Sequence, residues 1–201
     1  VNAWVNCSMR TMPFYANLKS IFGGSQFLYI VAGSQFGLIT NAIHYIDHMA
    51  YLSGELEYRL DTSLLCFPPI ESKRRGFLEL NGTLSVHFRN GSMGIFTCFP
   101  EGATPVMIEI VSPEARVISK EWEGTALISA RENQWKWKEV NSTIRYQSQM
   151  TTDLIKDILM KGTCDLVSYD HSMKMHLVLL EELRNFMNSR EVDQYDYFPF
   201  T

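Results

Sequence analysis

The chain contains 201 residues, of which 46% are hydrophobic and 20% are charged. This balance is typical of a globular protein with a sizeable core, and it excludes wholesale disorder. The formal net charge of −4 provides no general basic surface, so we expect no nucleic-acid partner. The length suits a single domain, and we treat residues 1–201 as one domain.

The longest stretch without a charged side chain covers residues 20–46. Glycines and polar side chains interrupt it, whereas a membrane span needs about 20 mainly apolar residues, so we expect no membrane segment. No signal peptide is visible at the start of the sequence.

The cysteines are far apart in the sequence and form no C-x-x-C pair. This spacing excludes a zinc finger and favours a reduced, cytoplasmic protein. The alternative is a secreted, β-rich glycoprotein, because the chain has N-x-S/T sequons, although two of them are also Asn-Gly turns. The cysteines are Cys7, Cys66, Cys98 and Cys164, and the sequons begin at Asn6, Asn81, Asn90 and Asn141.

The first part of the chain predicts helix, strand and helix in that order. Thr11-Met12-Pro13 suits the start of a helix because Thr can cap exposed amides, and Gly23-Gly24 suits its end. Residues 27–32 are rich in aromatic and branched side chains, which predicts a buried strand. Apolar residues then recur at helical spacing over 38–52, and Gly54 is a natural stop.

The middle of the chain has the period of β-strands. Asn81-Gly82 predicts a hairpin between strands at 77–80 and 83–88, and Asn90-Gly91 predicts the next turn. The other expected strands cover 56–60, 94–99, 106–111, 116–122, 125–130 and 134–140. This succession indicates an antiparallel meander.

Helical spacing returns over residues 151–161 and 170–188. Short strands flanked by helices, with no regular βαβ alternation, predict an α+β domain. We therefore expect an open, mostly antiparallel β-sheet with helices packed on one face.

The strongest cluster of polar side chains lies on the second long helix. At helical spacing Thr40, His44 and Asp47 share a face, and His48 lies one turn beyond His44. A histidine beside a carboxylate can accept or donate protons near neutral pH. The alternative is a half-buried structural histidine with Asp47 in a salt bridge nearby. A metal site is not expected, because no third ligand accompanies the two histidines.

Longer segments of the chain resemble a known family. Residues 5–19, the Gly23-Gly24 turn and the helix motif at 37–47 resemble the second domain of Gfo/Idh/MocA-type oxidoreductases. The segment from Tyr146 through Gly162 to Ser172-x-x-x-His176 is similar to the closing helices of that domain. The resemblance covers most of the chain but only one domain of the family's architecture.

The resemblance implies a fold, a reaction and partners. Such proteins bind NAD or NADP in an N-terminal Rossmann domain, which is absent from residues 1–201, so we expect no cofactor on this chain alone. Their substrates are sugars, cyclitols or related hydroxyl compounds. Their open sheet often forms the contact between subunits, which implies a homo-oligomer here.

The resemblance also implies roles for individual residues. His44 matches the catalytic histidine, and Asp47 would orient it. The family usually has an acid four residues before this histidine, where the present chain has Thr40. The expected substrate contacts are Arg10, Tyr15, Thr40 and Asn41. The alternative function is a non-catalytic binding or dimerisation module that keeps the fold without the nucleotide-binding half.

Overall fold

The structure of the protein, a computed structural model, describes residues 2–192 and 194–200. The helices are α1 (Pro13–Asn17), α2 (Lys19–Phe22), α3 (Leu38–Ser53), α4 (Gln147–Lys161) and α5 (Tyr169–Asn188). The strands are β1 (Trp4–Val5), β2 (Leu28–Ser34), β3 (Tyr58–Leu65), β4 (Ile70–Glu71), β5 (Leu78–Glu79), β6 (Gly82–Phe88), β7 (Met93–Phe99), β8 (Met107–Val111), β9 (Ala115–Lys120), β10 (Thr125–Ala130), β11 (Lys138–Asn141) and β12 (Val167–Ser168). Short 3₁₀ turns cover Ser8–Thr11 and Arg131–Asn133.

The main sheet has eight strands in the order β11-β10-β9-β8-β2-β7-β6-β3. Only β2 and β7 are parallel, and the other neighbouring strands are antiparallel. This parallel pair arises because α3, β3 and β6 intervene in sequence between two strands that are adjacent in space. The predicted α+β class with a mostly antiparallel sheet is confirmed.

Burial alternates along the strands, so the two faces of the sheet differ. On β6 the side chains of Leu84, Val86 and Phe88 are buried, while the residues between them are half-buried. Helix α3 packs closely over this buried face: a Cβ on Gly94 would lie 2.9 Å from the Met49 sulfur. A glycine at this point of β7 therefore allows the helix to approach the sheet.

Helix α3 has the boundaries that the sequence predicts. It begins after Gly37, whose φ of 78° is left-handed, and it ends at Gly54, whose φ of 74° forms the C-cap. An L-residue side chain is strained at such angles, which explains glycine at both ends. The helix buries Ala42, Ile46 and Met49 in the core, and this burial fixes which side chains face outward.

The predicted hairpin at Asn81-Gly82 is wrong. Strand β5 instead pairs with β4 in a separate two-stranded sheet, and β6 starts at Gly82 and pairs with β3. Gly82 has a φ of 99°, and a Cβ there would lie 2.5 Å from the Leu64 carbonyl oxygen. Glycine at this position allows β3 to approach closely, because any side chain would collide with the β3 backbone. The hairpin around Asn90-Gly91 is formed as predicted, between β6 and β7.

Two boundaries also differ from the sequence analysis. Thr11 does not cap α1, because its hydroxyl donates to the Ser8 carbonyl within the preceding 3₁₀ turn. The last strand of the meander starts at Lys138, since Gln134 and Trp135 have φ values of 60° and 61°. Such left-handed angles cannot continue an extended strand.

Candidate active site

His44 lies on α3 at the wall of a cavity of about 280 Å³. The cavity lies where α3, α5, the start of the chain and the end of the chain meet. Its lining residues are Val5, Asn6, Cys7, Ile39, Thr40, Ile43, His44, Arg74, His176, Leu179, Leu180 and Phe200. The volume is close to that of the smaller ligand pockets in proteins.

The His44 imidazole is half-buried and has no hydrogen bond to any other residue within 2–192 and 194–200. Burial lowers its pKa from the ordinary value, and the nearby His176 lowers it further. The ring is therefore neutral at pH 7 and can accept a proton. An imidazole that is neutral, lacks an internal partner and lines a cavity is suited to acid–base chemistry.

The Asp47 carboxylate, predicted to orient His44, is hydrogen-bonded to Arg10, and among the described residues no hydrogen bond joins it to His44. This fully buried carboxylate accepts two hydrogen bonds of 2.9 Å from the Arg10 guanidinium, and the Asp47 carbonyl oxygen accepts a third at 3.3 Å. Burial raises the pKa of Asp47 to about 6, although Arg10 opposes this rise. The structure thus pairs two predicted site residues with each other, and both carry their charges beneath the surface.

Tyr15 is also placed in the interior. Its side chain is 1% exposed, and its hydroxyl donates to the Glu121 carboxylate at 2.7 Å and lies 3.1 Å from the Ser119 hydroxyl. Burial raises the pKa of Tyr15 well above the ordinary value. The substrate contact predicted for Tyr15 therefore has no support in its surroundings.

Thr40 and Asn41 lie at the start of α3, beside a second hollow of about 470 Å³. Thr40 lines both this hollow and the His44 cavity, whereas the Asn41 side-chain amide donates to the carbonyls of Phe36 and Gly37. Asn41 thus stabilises the first turn of the helix. Only Thr40 among these two borders the His44 cavity.

Glu79, which the sequence analysis did not single out, supplies a buried carboxylate next to Thr40. It accepts hydrogen bonds from the Ile39 amide at 2.7 Å, the Thr40 amide at 3.2 Å and the Thr40 hydroxyl at 2.9 Å. The partial positive charge of a helix N-terminus stabilises a carboxylate in this position. The position four residues before His44 lacks an acid in sequence, but an acid from β5 contacts it in space.

Two further side chains of the cavity wall, His176 and Arg74, have no role predicted from the sequence. His176 lies on α5, where its Nδ1 is 2.8 Å from the Ser172 carbonyl oxygen. Arg74 lies in the loop after β4 and lines both hollows. The spacing of Ser172 and His176 is visible in the sequence, but no local pattern links either residue to His44.

The second histidine of the α3 motif is structural. His48 is fully buried, with Nδ1 3.0 Å from the Tyr29 hydroxyl and Nε2 3.2 Å from the Tyr15 carbonyl oxygen. Burial lowers its pKa to about 4. In the described residues no group of three or more His, Cys, Asp or Glu side chains could hold a metal ion.

Comparisons with known proteins agree with this fold. No protein-family model matches the chain, and no curated protein does. Among solved structures, UDP-N-acetylglucosamine 3-dehydrogenase GnnA from Acidithiobacillus ferrooxidans matches 88% of this chain, with 12% identity and a TM-score of 0.64. Aldose-aldose oxidoreductase from Caulobacter crescentus, complexed with glycerol, matches 94% with 13% identity and a TM-score of 0.61.

A levoglucosan dehydrogenase in complex with NADH and levoglucosan matches 89% of the chain, with 13% identity and a TM-score of 0.58. The chain spans 58%, 63% and 64% of these three structures respectively. They are Gfo/Idh/MocA-type oxidoreductases, and this chain has the fold of their C-terminal domain. The fold that the resemblance implied is therefore confirmed.

Within the part of the chain that the structure describes, no helix combines enough length with enough apolar character to cross a membrane.

Proposed function

We propose that this chain is the substrate-binding domain of an NAD(P)-dependent dehydrogenase that acts on a sugar, a cyclitol or a related hydroxyl compound. The observation that carries the proposal is the His44 ring, which burial keeps neutral and which lines a cavity without a hydrogen-bond partner among the described residues. The similar folds belong to proteins named for reactions of an aldose, levoglucosan and a UDP-linked sugar.

The residues of this chain would handle the proton of the reaction. When an alcohol is oxidised, its hydroxyl proton needs an acceptor, and the His44 imidazole would accept it at an unprotonated ring nitrogen. In reduction the same ring would return the proton to the carbonyl oxygen. The nicotinamide, when bound, would supply the hydride chemistry. Thr40, whose hydroxyl is held by Glu79, would position a substrate hydroxyl at the same wall.

The roles first predicted for other residues change in this proposal. Arg10 and Asp47 would act as a buried pair that stabilises the packing of α3 against the preceding 3₁₀ turn. Tyr15 would stabilise the interior, and Asn41 the start of α3. His44 and Thr40 remain the proposed site residues from the original set.

The cofactor and the subunit contact are also proposals. We assign the nucleotide mainly to an N-terminal Rossmann domain outside the 201 residues, in keeping with the fraction of the similar structures that the chain spans. The sheet face opposite the helices carries Ile30 beside Ile95 on the two central strands, and we assign the contact between identical subunits to it. A cytoplasmic location remains a prediction, in keeping with four free cysteines.

The test compares variants of the full-length protein that contains this chain. A panel of aldoses, cyclitols and polyols is supplied with NAD or NADP, and the absorbance of the reduced cofactor is followed. His44→Asn should lower kcat by roughly 10²- to 10⁴-fold, because general acid–base catalysis contributes that much. Its thermal midpoint should change little, since the ring makes no hydrogen bond in the described structure.

His171→Asn is the matched control, because His171 is exposed in the first turn of α5 and does not line the cavity. Oxidation by the unmodified enzyme should increase as the pH rises through the His44 pKa, which burial and His176 place below the ordinary value. If His44→Asn retains full turnover, His44 is not the proton acceptor. Failure to use either cofactor would favour the non-catalytic module.

A further inference from the structure

Among the described residues, the ionisable groups that line the His44 cavity include bases but no carboxylic acid. Among its lining residues in the described structure, the ionisable side chains are His44, His176, Arg74 and Cys7. Burial, with a smaller contribution from Asp47, raises the pKa of the Cys7 thiol to about 12, so this group is uncharged at neutral pH. The charges that these described side chains can carry near pH 7 are therefore all positive.

The orientation of His176 follows from its neighbour. A carbonyl oxygen accepts and cannot donate, so the 2.8 Å contact with the Ser172 carbonyl places the ring proton on Nδ1. Within the described structure no hydrogen bond uses Nε2. This nitrogen carries a lone pair when the ring is neutral and becomes an N–H donor when the ring is protonated.

Arg74 is a cation without a partner in the described residues. None of the ion pairs or side-chain hydrogen bonds found there uses its guanidinium, although the group is charged at all relevant pH values. The guanidinium geometry matches two oxygens of a carboxylate or phosphate. Two buried carboxylates of this region are engaged elsewhere: Asp47 with Arg10, and Glu79 with the start of α3.

We infer that the substrate of this site carries an oxyanion, a carboxylate or a phosphate ester, which Arg74 and His176 bind while a hydroxyl of the same molecule faces His44. This inference rests on the proposed function, because it assumes that the ligand of the cavity is the substrate. It narrows the class of substrate to an acidic sugar. Burial is the main cause of the lowered pKa of His44 and repulsion from His176 is the second, and an anion between the two imidazoles would offset that repulsion. Neutral polyols would lack this interaction.

The test measures binding to the chain without any cofactor. Imidazole nitrogen NMR gives the pKa values of His44 and His176 in sodium chloride, sodium sulfate or sodium glucuronate at equal ionic strength, with glucose as the neutral probe. Sulfate represents the phosphate-ester arm and glucuronate the carboxylate arm. We expect a saturable rise of roughly 0.5 to 1 in both pKa values with at least one of these anions. His87 and His171, outside the cavity, serve as internal references.

Two neighbouring arginines provide matched variants. Arg74→Gln should weaken the binding of the effective anion about tenfold, the effect of losing one charge-assisted hydrogen bond. Arg75→Gln removes the same charge from a residue that does not line the cavity, and it should change the affinity less than twofold.

The inference is overturned if neither anion moves the two pKa values, if glucose moves them equally, if His87 and His171 respond in the same way, or if the two arginine variants weaken binding equally. Because no hydride transfer is measured, a protein that binds the anion but never reduces a cofactor would retain this site and lose the proposed function. A dehydrogenase that binds neither anion would retain the function and lose this inference.

Discussion

Arg10 and Asp47 form a buried ion pair whose removal should be costly. Asp47 is fully buried and the Arg10 side chain is 14% exposed, so neither charge is well hydrated. Arg10→Met would leave the carboxylate without its two hydrogen bonds from the guanidinium, and the Asp47 carbonyl oxygen without a third. Removing one partner of a buried pair costs about 3 to 5 kcal/mol of unfolding free energy. For a chain of this length that corresponds to a fall of roughly 6 to 20 °C in Tm.

The cost should depend on pH, in a direction that the pKa of Asp47 sets. Burial raises this pKa to about 6, and Arg10 is the group that keeps it from rising further. In Arg10→Met the folded-state pKa is therefore higher still, and the folded variant binds a proton that the unmodified protein releases above about pH 6. The destabilisation should increase from pH 5 to pH 8 and be smaller at the acid end, where Asp47 is protonated in both proteins.

The assay is urea unfolding at pH 5 and pH 8, with thermal melts as a second measure. The double variant Arg10→Met with Asp47→Leu should recover most of the loss, because no unpaired charge remains. Arg89→Met is the matched control: its pair with Glu57 is 72% and 70% exposed, so its loss should cost under about 1 kcal/mol. A loss below 1 kcal/mol in Arg10→Met at pH 8, or one that grows toward acid, would refute the reasoning.

The remaining predictions concern the interior tyrosine and the outer face of the sheet. Tyr15→Phe removes the hydroxyl contacts to Ser119 and Glu121 and should cost about 1 to 2 kcal/mol without changing kcat; a fall in kcat above tenfold at unchanged stability would restore a substrate role. Ile95→Glu should dissociate the full-length protein into monomers in sedimentation experiments, because it replaces the apolar side chain beside Ile30 with a charge. Met173→Glu, at an exposed position of α5, is the control. If Ile95→Glu leaves the oligomer unchanged, this face of the sheet is excluded as the contact.

The parts of the fold that depend on local chemistry could be predicted from the sequence. The apolar spacing and the left-handed glycine at Gly54 define α3, and Asn90-Gly91 defines a real hairpin. Asn81-Gly82 has the same local chemistry but a different outcome. The strand that follows it, β6, pairs with β3 and not with the segment just before the turn. This pairing depends on the tertiary packing of β3, which the local sequence does not indicate.

The candidate site has the same division. His44 can be predicted from the sequence because its helix motif consists of neighbouring residues. Its place at a cavity wall follows from the face that α3 buries. Glu79, Arg74 and His176 come from three other segments, so their meeting with Thr40 and His44 depends on the whole topology. Conversely, helical spacing predicts that Asp47 lies near His44. In the structure the Asp47 carboxylate instead accepts two hydrogen bonds from the Arg10 guanidinium, a contact that no local pattern indicates.

The single parallel pair at the centre of the sheet affects the order in which the molecule can assemble. During synthesis α3 emerges well before β7, the strand that it packs against at Gly94 and Phe96, and β2 must wait for its two neighbours β7 and β8. Such distant pairing makes folding slow, because a long loop has to close before its contacts form. The side of α3 that faces β7 should therefore stay uncovered in the nascent chain until residue 99 has left the ribosome, which is the interval in which a chaperone would be most useful.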